Sequence, residues 1–450
     1  MDIFEFKSSV KEKNISVIGV GISNRPLIKF LAEAGANVTA YDKRTSEQLG
    51  DVYEELSSLG VSFVLGDNYL DNLSGEIIFK TPGMRFDNPA LISAKEKGSV
   101  ITSEMELFFE VCPARIIAVT GSDGKTTTTT LIHKIMEKQG YKTWLGGNIG
   151  NPLLVESQNM TKDDWVVLEL SSFQLHTMSK SPEIAVITNI TPNHLDMHKD
   201  YQEYIDAKKN IMLYQDENSK LIVNASNDVT SEIGKEAKGN LLEFSSKKDA
   251  NITLRDKFIT VDGKKVLNID DIKIMGMHNV ENFMAAIGAV YDLVDTESII
   301  EVAKTFGGVE HRIELVRVLD GVKYYNSSID SSPNRTINTL KVFDKKVIMI
   351  SGGKDKGIAY DEIGPAICEK VKTLILIGKT ADNIEQAVKK AGGNNVEIIR
   401  CSTYEEVVNI AHNKATSGDV VLLSPASTSF DMFSNFEERG NLFKKLVNEL

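Results

Sequence analysis

Seven consecutive residues, Gly121-Ser122-Asp123-Gly124-Lys125-Thr126-Thr127, have the types and spacing needed to hold a nucleoside triphosphate. Two glycines let backbone N–H groups converge on phosphate oxygens, and a helix starting at the lysine adds its dipole. Lys125 would reach the terminal phosphates, and the Thr126 hydroxyl would sit on Mg²⁺. A full phosphate loop has one more glycine, at the position of Val119, so this is the short T-G-x-x-G-K-T form.

Other chemistry-bearing residues follow apolar runs. Glu169 ends Trp165-Val-Val-Leu-Glu169, where a carboxylate beside a phosphate loop would hold Mg²⁺. His194, Asp196 and His198 cluster after Ile184-Ala-Val-Ile-Thr-Asn189. Lys208 and Lys209 lie on a polar helix just beyond; composition does not distinguish them. In His278-Asn279-Val-Glu-Asn282 one asparagine is explained as a helix cap, and the other could bond a purine edge. Near the start, Gly19-Val20-Gly21 follows Ile15-Ser-Val-Ile, and Asp42 ends the next apolar run, where a ribose hydroxyl would lie. Asn24 replaces the third fingerprint glycine, which favours a diphosphate-ribose ligand other than a dinucleotide. Thr81-Pro82-Gly83 forms a further loop available to ligand.

These groups need parallel strands with crossover helices to position them. The first segment reads as βαβ: strands at Ile15, Val38–Tyr41 and Glu76–Lys80, with a helix from Pro26 to Ala34. The second has a short helix before the phosphate loop, then strands at Trp165–Glu169, Ile184–Asn189 and Leu221–Asn224. Short antiparallel strands with an Asp262-Gly263 hairpin and a helix from Val280 to Leu293 follow. The third carries four strands, Val322–Asn326, Val347–Ile350, Leu374–Ile377 and Val420–Leu423, and a helix over Tyr404–Ala415. The expectation is an α/β protein of three domains: a Rossmann-like domain (1–102), a central domain with the phosphate loop (103–309), and a Rossmann-like domain (310–450).

A chain of 450 residues exceeds one ordinary core. Its net charge of −12 argues against nucleic acid or an anionic membrane as the main partner. The three cysteines are scattered without C-x-x-C spacing, as expected in a reducing compartment. The chain shows no leader pattern and no apolar run long enough to span a membrane. A cytoplasmic monomer is expected.

Together these residues resemble the Mur ligase family, the ATP-dependent amide-forming enzymes of bacterial peptidoglycan precursor synthesis. The resemblance rests on Thr120 to Thr127, Gly147-Asn148-Ile-Gly150, Leu168-Glu169-Leu-Ser-Ser, Asn193-His194-Leu-Asp196 and Ala207-Lys208. It continues through His278-Asn279-x-x-Asn282, His311-Arg312 and Gly352-Gly-Lys-Asp-Lys356-Gly. The stretch from Leu423 to Gly440 is similar to the branch that adds D-glutamate, which implies UDP-N-acetylmuramoyl-L-alanine and D-glutamate as substrates.

The resemblance implies two Mg²⁺ ions, one on Thr126 and Glu169, the other on His194 and a carbamylated Lys208. Lys125, His194 and Lys208 would carry the chemistry. Asn282 would contact adenine, and Arg312 the ribose and phosphates. Gly21, Ile22, Ser23, Thr81, Pro82 and Gly83 would line the UDP-substrate site, with Asp42 and Arg44 at its uridine end. Asn148, Ser171 and Gln174 would touch the sugar-peptide part. Ser331, Lys356, Ser429 and Phe436 would hold the incoming amino acid. The chain departs from the family at Asn326-Ser-Ser-Ile-Asp330-Ser331-Ser-Pro333, where Asn-Asp-Ser-Lys-x-Thr-Asn-Pro is usual. Asp330 is either a replacement for the lost carboxylate or a cap for the helix expected after Pro333. A sibling ligase and a non-catalytic nucleotide switch are the competing readings.

Overall fold

The computed structural model describes residues 1–192, 197–355 and 359–450. They divide into two compact units, one of Met1–Asp271 with Met277–Lys304, the other of Ile272–Gly276 with Thr305–Leu450.

The first unit holds two sheets. One comprises β1 (Asn14–Ile18), β2 (Asn37–Asp42), β3 (Ser62–Leu65), β4 (Ile77–Phe79) and β5 (Val100–Thr102). All pair in parallel, in the order β3-β2-β1-β4-β5. After its first residue β1 is buried throughout, as a strand covered on both faces must be. The helix Asn24–Glu33 turns Leu27, Ile28 and Leu31 inward at helical spacing. The strand order reverses between β1 and β4, and their carboxyl ends open a crevice there.

The second sheet begins with β6 (Arg115–Thr120), β7 (Thr143–Gly147), β8 (Trp165–Glu169), β9 (Ile184–Ile187) and β10 (Lys220–Asn224). It continues with β11 (Asn240–Ser245), β12 (Ile252–Arg255), β13 (Phe258–Val261) and β14 (Lys264–Asn268). Its order is β14-β13-β12-β11-β10-β9-β6-β8-β7. Pairing is parallel from β7 to β12, and antiparallel across β12, β13 and β14. The expected Asp262-Gly263 turn joins the last two strands. The strand carrying the phosphate loop, β6, lies between β8 and β9, so both neighbours deliver their carboxyl-end residues to that loop. The helix Met277–Val290, buried on nearly every face, packs against Lys125–Gln139. Phe6 and Leu31 beside the first sheet share one buried apolar cluster with Phe108 and Val166, which is why the two sheets fall in one unit.

The second unit has six strands where four were expected: β15 (Glu314–Leu319), β16 (Val322–Asn326), β17 (Val347–Ser351), β18 (Val371–Leu376), β19 (Glu397–Arg400) and β20 (Val420–Leu423). The two extra strands, β15 and β19, are the edges of the order β15-β16-β20-β17-β18-β19. Both are half-exposed, so neither shows the buried apolar run of a central strand. Only β15 runs antiparallel to its neighbour.

Candidate active site

The phosphate loop joins β6 to the helix Lys125–Gln139 as expected. Gly124 occupies the N-cap position in the left-handed region (φ 79°) and no side chain caps that end, so the first-turn N–H groups are left to an anion. A Cβ on Gly124 would meet Asn282 Oδ1, and one on Gly121 (φ 147°) would meet Thr188 Oγ1. Glycine is therefore required at both positions. Asn282 lies against the loop, its amide donating to Asn279 Oδ1 at 3.1 Å. The loop is pinned from β9: Asn189 O accepts Ser122 N at 2.8 Å, and Asn189 Oδ1 accepts Asp123 N at 3.0 Å. Lys125 Nζ donates to the carbonyls of Gly121 and Ser122, both at 2.9 Å.

Glu169, at the end of β8, pairs in register with Val119 beside the loop and is 2% exposed. Asn148 Nδ2 donates to Glu169 Oε1 at 2.8 Å, whereas Oε2 is buried without a partner. An orphaned carboxylate oxygen at the end of the strand paired with the one that carries the phosphate loop fits Mg²⁺, which takes one or two carboxylates and leaves the rest of its shell to phosphate and water. Among the described residues no three His, Cys, Asp or Glu side chains form a complete metal cluster. His194, with Asn193 and Asp196, lies outside the described residues.

Lys208 is separated from Lys209 by burial. Lys208 is 1% exposed, donating to Gly121 O at 2.8 Å and Thr120 Oγ1 at 3.4 Å, over the Tyr204 ring. Burial, then the nearby Lys125 charge, hold its amine well below the usual lysine range. Lys209 instead pairs with Glu236 at 2.6 Å on the surface. Helical geometry turns one lysine to the loop and the next to solvent. The helix carrying them, Tyr201–Leu213, also gives Tyr204, whose hydroxyl bonds Ser122 Oγ at 2.9 Å.

At the first crevice, Asp42 is occupied by its own loop. Oδ1 accepts Arg44 N and Nε, both at 2.9 Å, and Oδ2 accepts Val20 N and Arg44 Nη2, both at 2.7 Å. Four donors fill a carboxylate's acceptor positions. Burial alone would raise this carboxyl, but the Arg44 and Val20 bonds outweigh it and hold it at about 2. Asn24 accounts for the missing fingerprint glycine: its amide donates to Ile18 O and Gly19 O, each at 3.0 Å, fastening the loop from inside. Ser171 and Gln174 form a capping box on the helix Ser172–Leu175, with Gln174 Oε1 accepting from Ser171 N at 3.0 Å. Their spacing is thus accounted for in part by helix initiation.

Sequence reasoning missed Arg85, just beyond Thr81-Pro82-Gly83. It holds Glu203 through two bonds of 2.9 Å and Asp87 through bonds of 2.9 and 2.8 Å, and donates to Met197 O at 3.0 Å. It thereby ties the loop after β4 to the helix bearing Lys208. The Arg85 bonds bring the Glu203 carboxyl down to about 2. His198, buried among Phe173, His176 and Tyr204, bonds Ser172 Oγ at 2.9 Å. Its Nδ1 lies 3.4 Å from Glu203 Oε2, on the helix that bears Lys208.

In the second unit, the loops after β16, β17 and β20 share one end of the sheet. Lys354 N donates to Thr428 O at 2.8 Å, joining two of them; Lys356 lies outside the described residues. Ser429 is buried, and its carbonyl accepts Met432 N and Phe433 N. Phe436 begins the helix Phe436–Glu449, edge-on to His311 with ring centres 5.9 Å apart. Ser331 lies within the altered motif, its N–H on Ile329 O at 2.8 Å. Arg312 is exposed in a tight turn, its N–H on Val309 O at 3.0 Å. The residue that fastens this end is another that sequence reasoning missed. Arg439, 1% exposed, donates to Ser328 Oγ (2.9 Å), Ser328 O (2.8 Å) and Ser427 O (3.1 Å). Asp330 does not cap the next helix, whose N-cap is Ser332; it is buried and accepts Ser424 Oγ at 2.7 Å. Burial pushes its carboxyl up.

A phosphate loop flanked by an orphaned carboxylate oxygen and a buried lysine defines a nucleotide-dependent enzyme, and the chain belongs to the Mur ligase family. Residues 119–290 match the Mur ligase middle domain, and residues 311–427 the Mur ligase glutamate ligase domain. The UDP-N-acetylmuramoylalanine–D-glutamate ligase of Ruminiclostridium cellulolyticum is 54% identical over 99% of this chain and 98% of its own length. The ligase of the same name from Clostridium perfringens is 52% identical over 100% and 99%. Among solved structures, the UDP-N-acetylmuramate-alanine ligase MurC from Thermotoga maritima superposes with TM-score 0.60 at 19% identity, covering 97% of this chain and 99% of that one. MurF ligase from the same organism, in complex with ADP, gives 0.55 at 17%, covering 98% and 97%. The α/β fold is thus shared across the family.

Proposed function

We propose that this chain joins D-glutamate to UDP-N-acetylmuramoyl-L-alanine in an ATP-dependent reaction of peptidoglycan precursor synthesis. The observation that carries the reading is the joint placement of Lys125, the unpartnered Glu169 oxygen and the buried Lys208 around one phosphate loop. Full-length likeness to D-glutamate ligases supports the choice of amino acid.

The L-alanyl carboxylate attacks the γ-phosphorus, ADP leaves, and an acyl phosphate forms. The D-glutamate amine then attacks the acyl carbon, phosphate leaves with the C–O electron pair, and the amine proton passes to solvent. No protein nucleophile is needed. Lys125 neutralises charge on the phosphoryl group, and its loss is expected to lower turnover about 10²–10³-fold. Thr126 and Glu169 would hold one Mg²⁺, and His194 with a carbamate on Lys208 a second; the ions would supply further charge neutralisation. Burial shifts the Lys208 amine toward its neutral form, the form that adds CO₂, which supports Lys208 over Lys209.

Arg44, fixed by Asp42, would face the uridine end, with Gly21, Ile22, Ser23 and Thr81–Gly83 lining the crevice. Asn148, Ser171 and Gln174 would contact the sugar-peptide part. Asn282 and Arg312 would hold the nucleotide, and Ser331, Lys356, Ser429 and Phe436 the amino acid. Three domains, one around each sheet, a cytoplasmic location and a monomeric state complete the reading. No helix among the described residues is long and apolar enough to cross a membrane. Phosphate release with UDP-N-acetylmuramoyl-L-alanine tests the assignment. It should require D-glutamate, and equal release with L-lysine or meso-diaminopimelate would assign the chain to a sibling ligase.

A further inference from the structure

A cavity of about 630 Å³ lies on the far side of β4 from the β1 crevice, against the edge strand β5. Lys80, Glu106 and Thr177 line it, together with the apolar side chains of Leu91, Ile92 and Ile101. Lys80 is 3% exposed at the end of β4. Glu106 Oε2 and Thr177 Oγ1 are buried with no partner in hydrogen-bond geometry, although Thr177 is near enough to favour the Glu106 anion. The attraction between Lys80 and Glu106 acts through space, with no bond joining them, and burial pushes the ammonium down and the carboxyl up. At the mouth, Phe86 and Ile92 are each 45% exposed, beside the exposed charges of Asp87, Lys95 and Glu96.

A buried cation and a buried anion facing one cavity are stabilised by a molecule that brings both opposite charges. Water alone does not match the site, because the volume is many times a water's share and much of the wall is apolar. The volume falls in the range of small-molecule pockets.

We infer that this cavity binds a small apolar α-amino acid as its zwitterion. The α-carboxylate sits on Lys80, the α-ammonium on Glu106 and Thr177, and the side chain lies between Leu91, Ile92 and Ile101. Neither charge of the ligand is left unpaired, and the alkyl group covers apolar wall. Lys80, Phe86 and Thr177 also line a smaller pocket with Pro82 and Gly83, so the cavity abuts the substrate loop.

Calorimetric titration of the full chain with L-leucine tests this, beside 4-methylpentanoate and 3-methylbutylamine, which each keep one of its charges. Leucine should bind, and each analogue should bind about tenfold to a hundredfold more weakly, the value of one charged hydrogen bond. Lys80→Met and Glu106→Gln should each weaken leucine to a similar degree. Leu91→Trp, which fills the cavity, should abolish binding while keeping a folded circular dichroism spectrum, with a melting temperature lowered by a few degrees for the added bulk; it serves even if the charge variants fold poorly. UMP should not displace leucine. Absence of leucine binding, equal affinity for the analogues, or binding undiminished in Leu91→Trp would overturn the inference. So would displacement by UMP, which would make the cavity part of the substrate site.

Discussion

Replacing Asp42 by asparagine tests whether this carboxylate acts on ribose directly or through the loop it fastens. Asparagine keeps the size but turns one acceptor oxygen into a donor, leaving two of the four bonds without an acceptor. A carboxyl held at about 2 rather than 3.8 favours the anion in the folded loop by about 2.4 kcal/mol, at about 1.36 kcal/mol per pH step. Arg44 is 41% exposed, so solvent screening makes 2.4 kcal/mol the upper limit of a range that starts at roughly 1.5 kcal/mol. The Val20 N–H, bonded to Asp42 Oδ2, reports local opening. Its hydrogen exchange at neutral pH should accelerate roughly tenfold to sixtyfold in Asp42→Asn. Because the folded carboxyl lies below its unfolded value, the contribution is complete above about pH 4 and fades as pH falls through about 2. The difference between wild type and variant should shrink over that window. The KM for the UDP-substrate should rise along with the faster exchange, because Arg44 loses its anchor. A raised KM with unchanged Val20 exchange would refute the reasoning and return Asp42 to direct ribose contact.

Three other outcomes are expected. Lys208→Ala should lose activity that acetate partly restores, whereas Lys209→Ala should stay near wild type; comparable loss in both would defeat the carbamate assignment. Glu169→Gln should cut turnover about 10²–10³-fold while keeping its bond to Asn148, and its melting temperature should not fall, since a buried charge is removed. A marked drop in melting temperature would show that Glu169 is structural. Arg85→Gln and Glu203→Gln, combined in a double-mutant cycle on kcat/KM, should be non-additive by about 0.5–2 kcal/mol, at the modest end because Arg85 is partly exposed. Additive effects would mean that the bridge does not connect the loop after β4 to the Lys208 helix.

Much of the fold could be read from elements buried on both faces. β6, β8 and β10 appear as unbroken apolar runs, and the phosphate loop is marked by residues that few other backbones require. The edge strands β15 and β19 escaped because a half-exposed strand of mixed polarity lacks that pattern. At the site, residue types were legible but their partners were not. Lys208 and Lys209 are equivalent in composition, and only the rotation of their helix distinguishes them. Asn24 reads as a failed glycine until its amide is seen on two carbonyls. Arg85 and Arg439 look like ordinary surface arginines, because Glu203 and Ser328, which give them their cross-linking roles, lie more than a hundred residues away in sequence.

The position of β20 has a consequence for the order in which the second unit can form during synthesis. It fills the gap between β16 and β17, yet β17, β18 and β19 all precede it in the chain. Until residue 423 has left the ribosome, β16 and β17 present open edges to one another with nothing between them, a state prone to wrong pairing. Arg439, which fastens the loops after β16 and β20, emerges later still. The end of this unit formed by the loops after β16, β17 and β20 is therefore assembled all at once and late. A ribosomal pause before residue 420 would prolong exposure of an unfinished sheet, whereas the phosphate loop and its sheet are already complete.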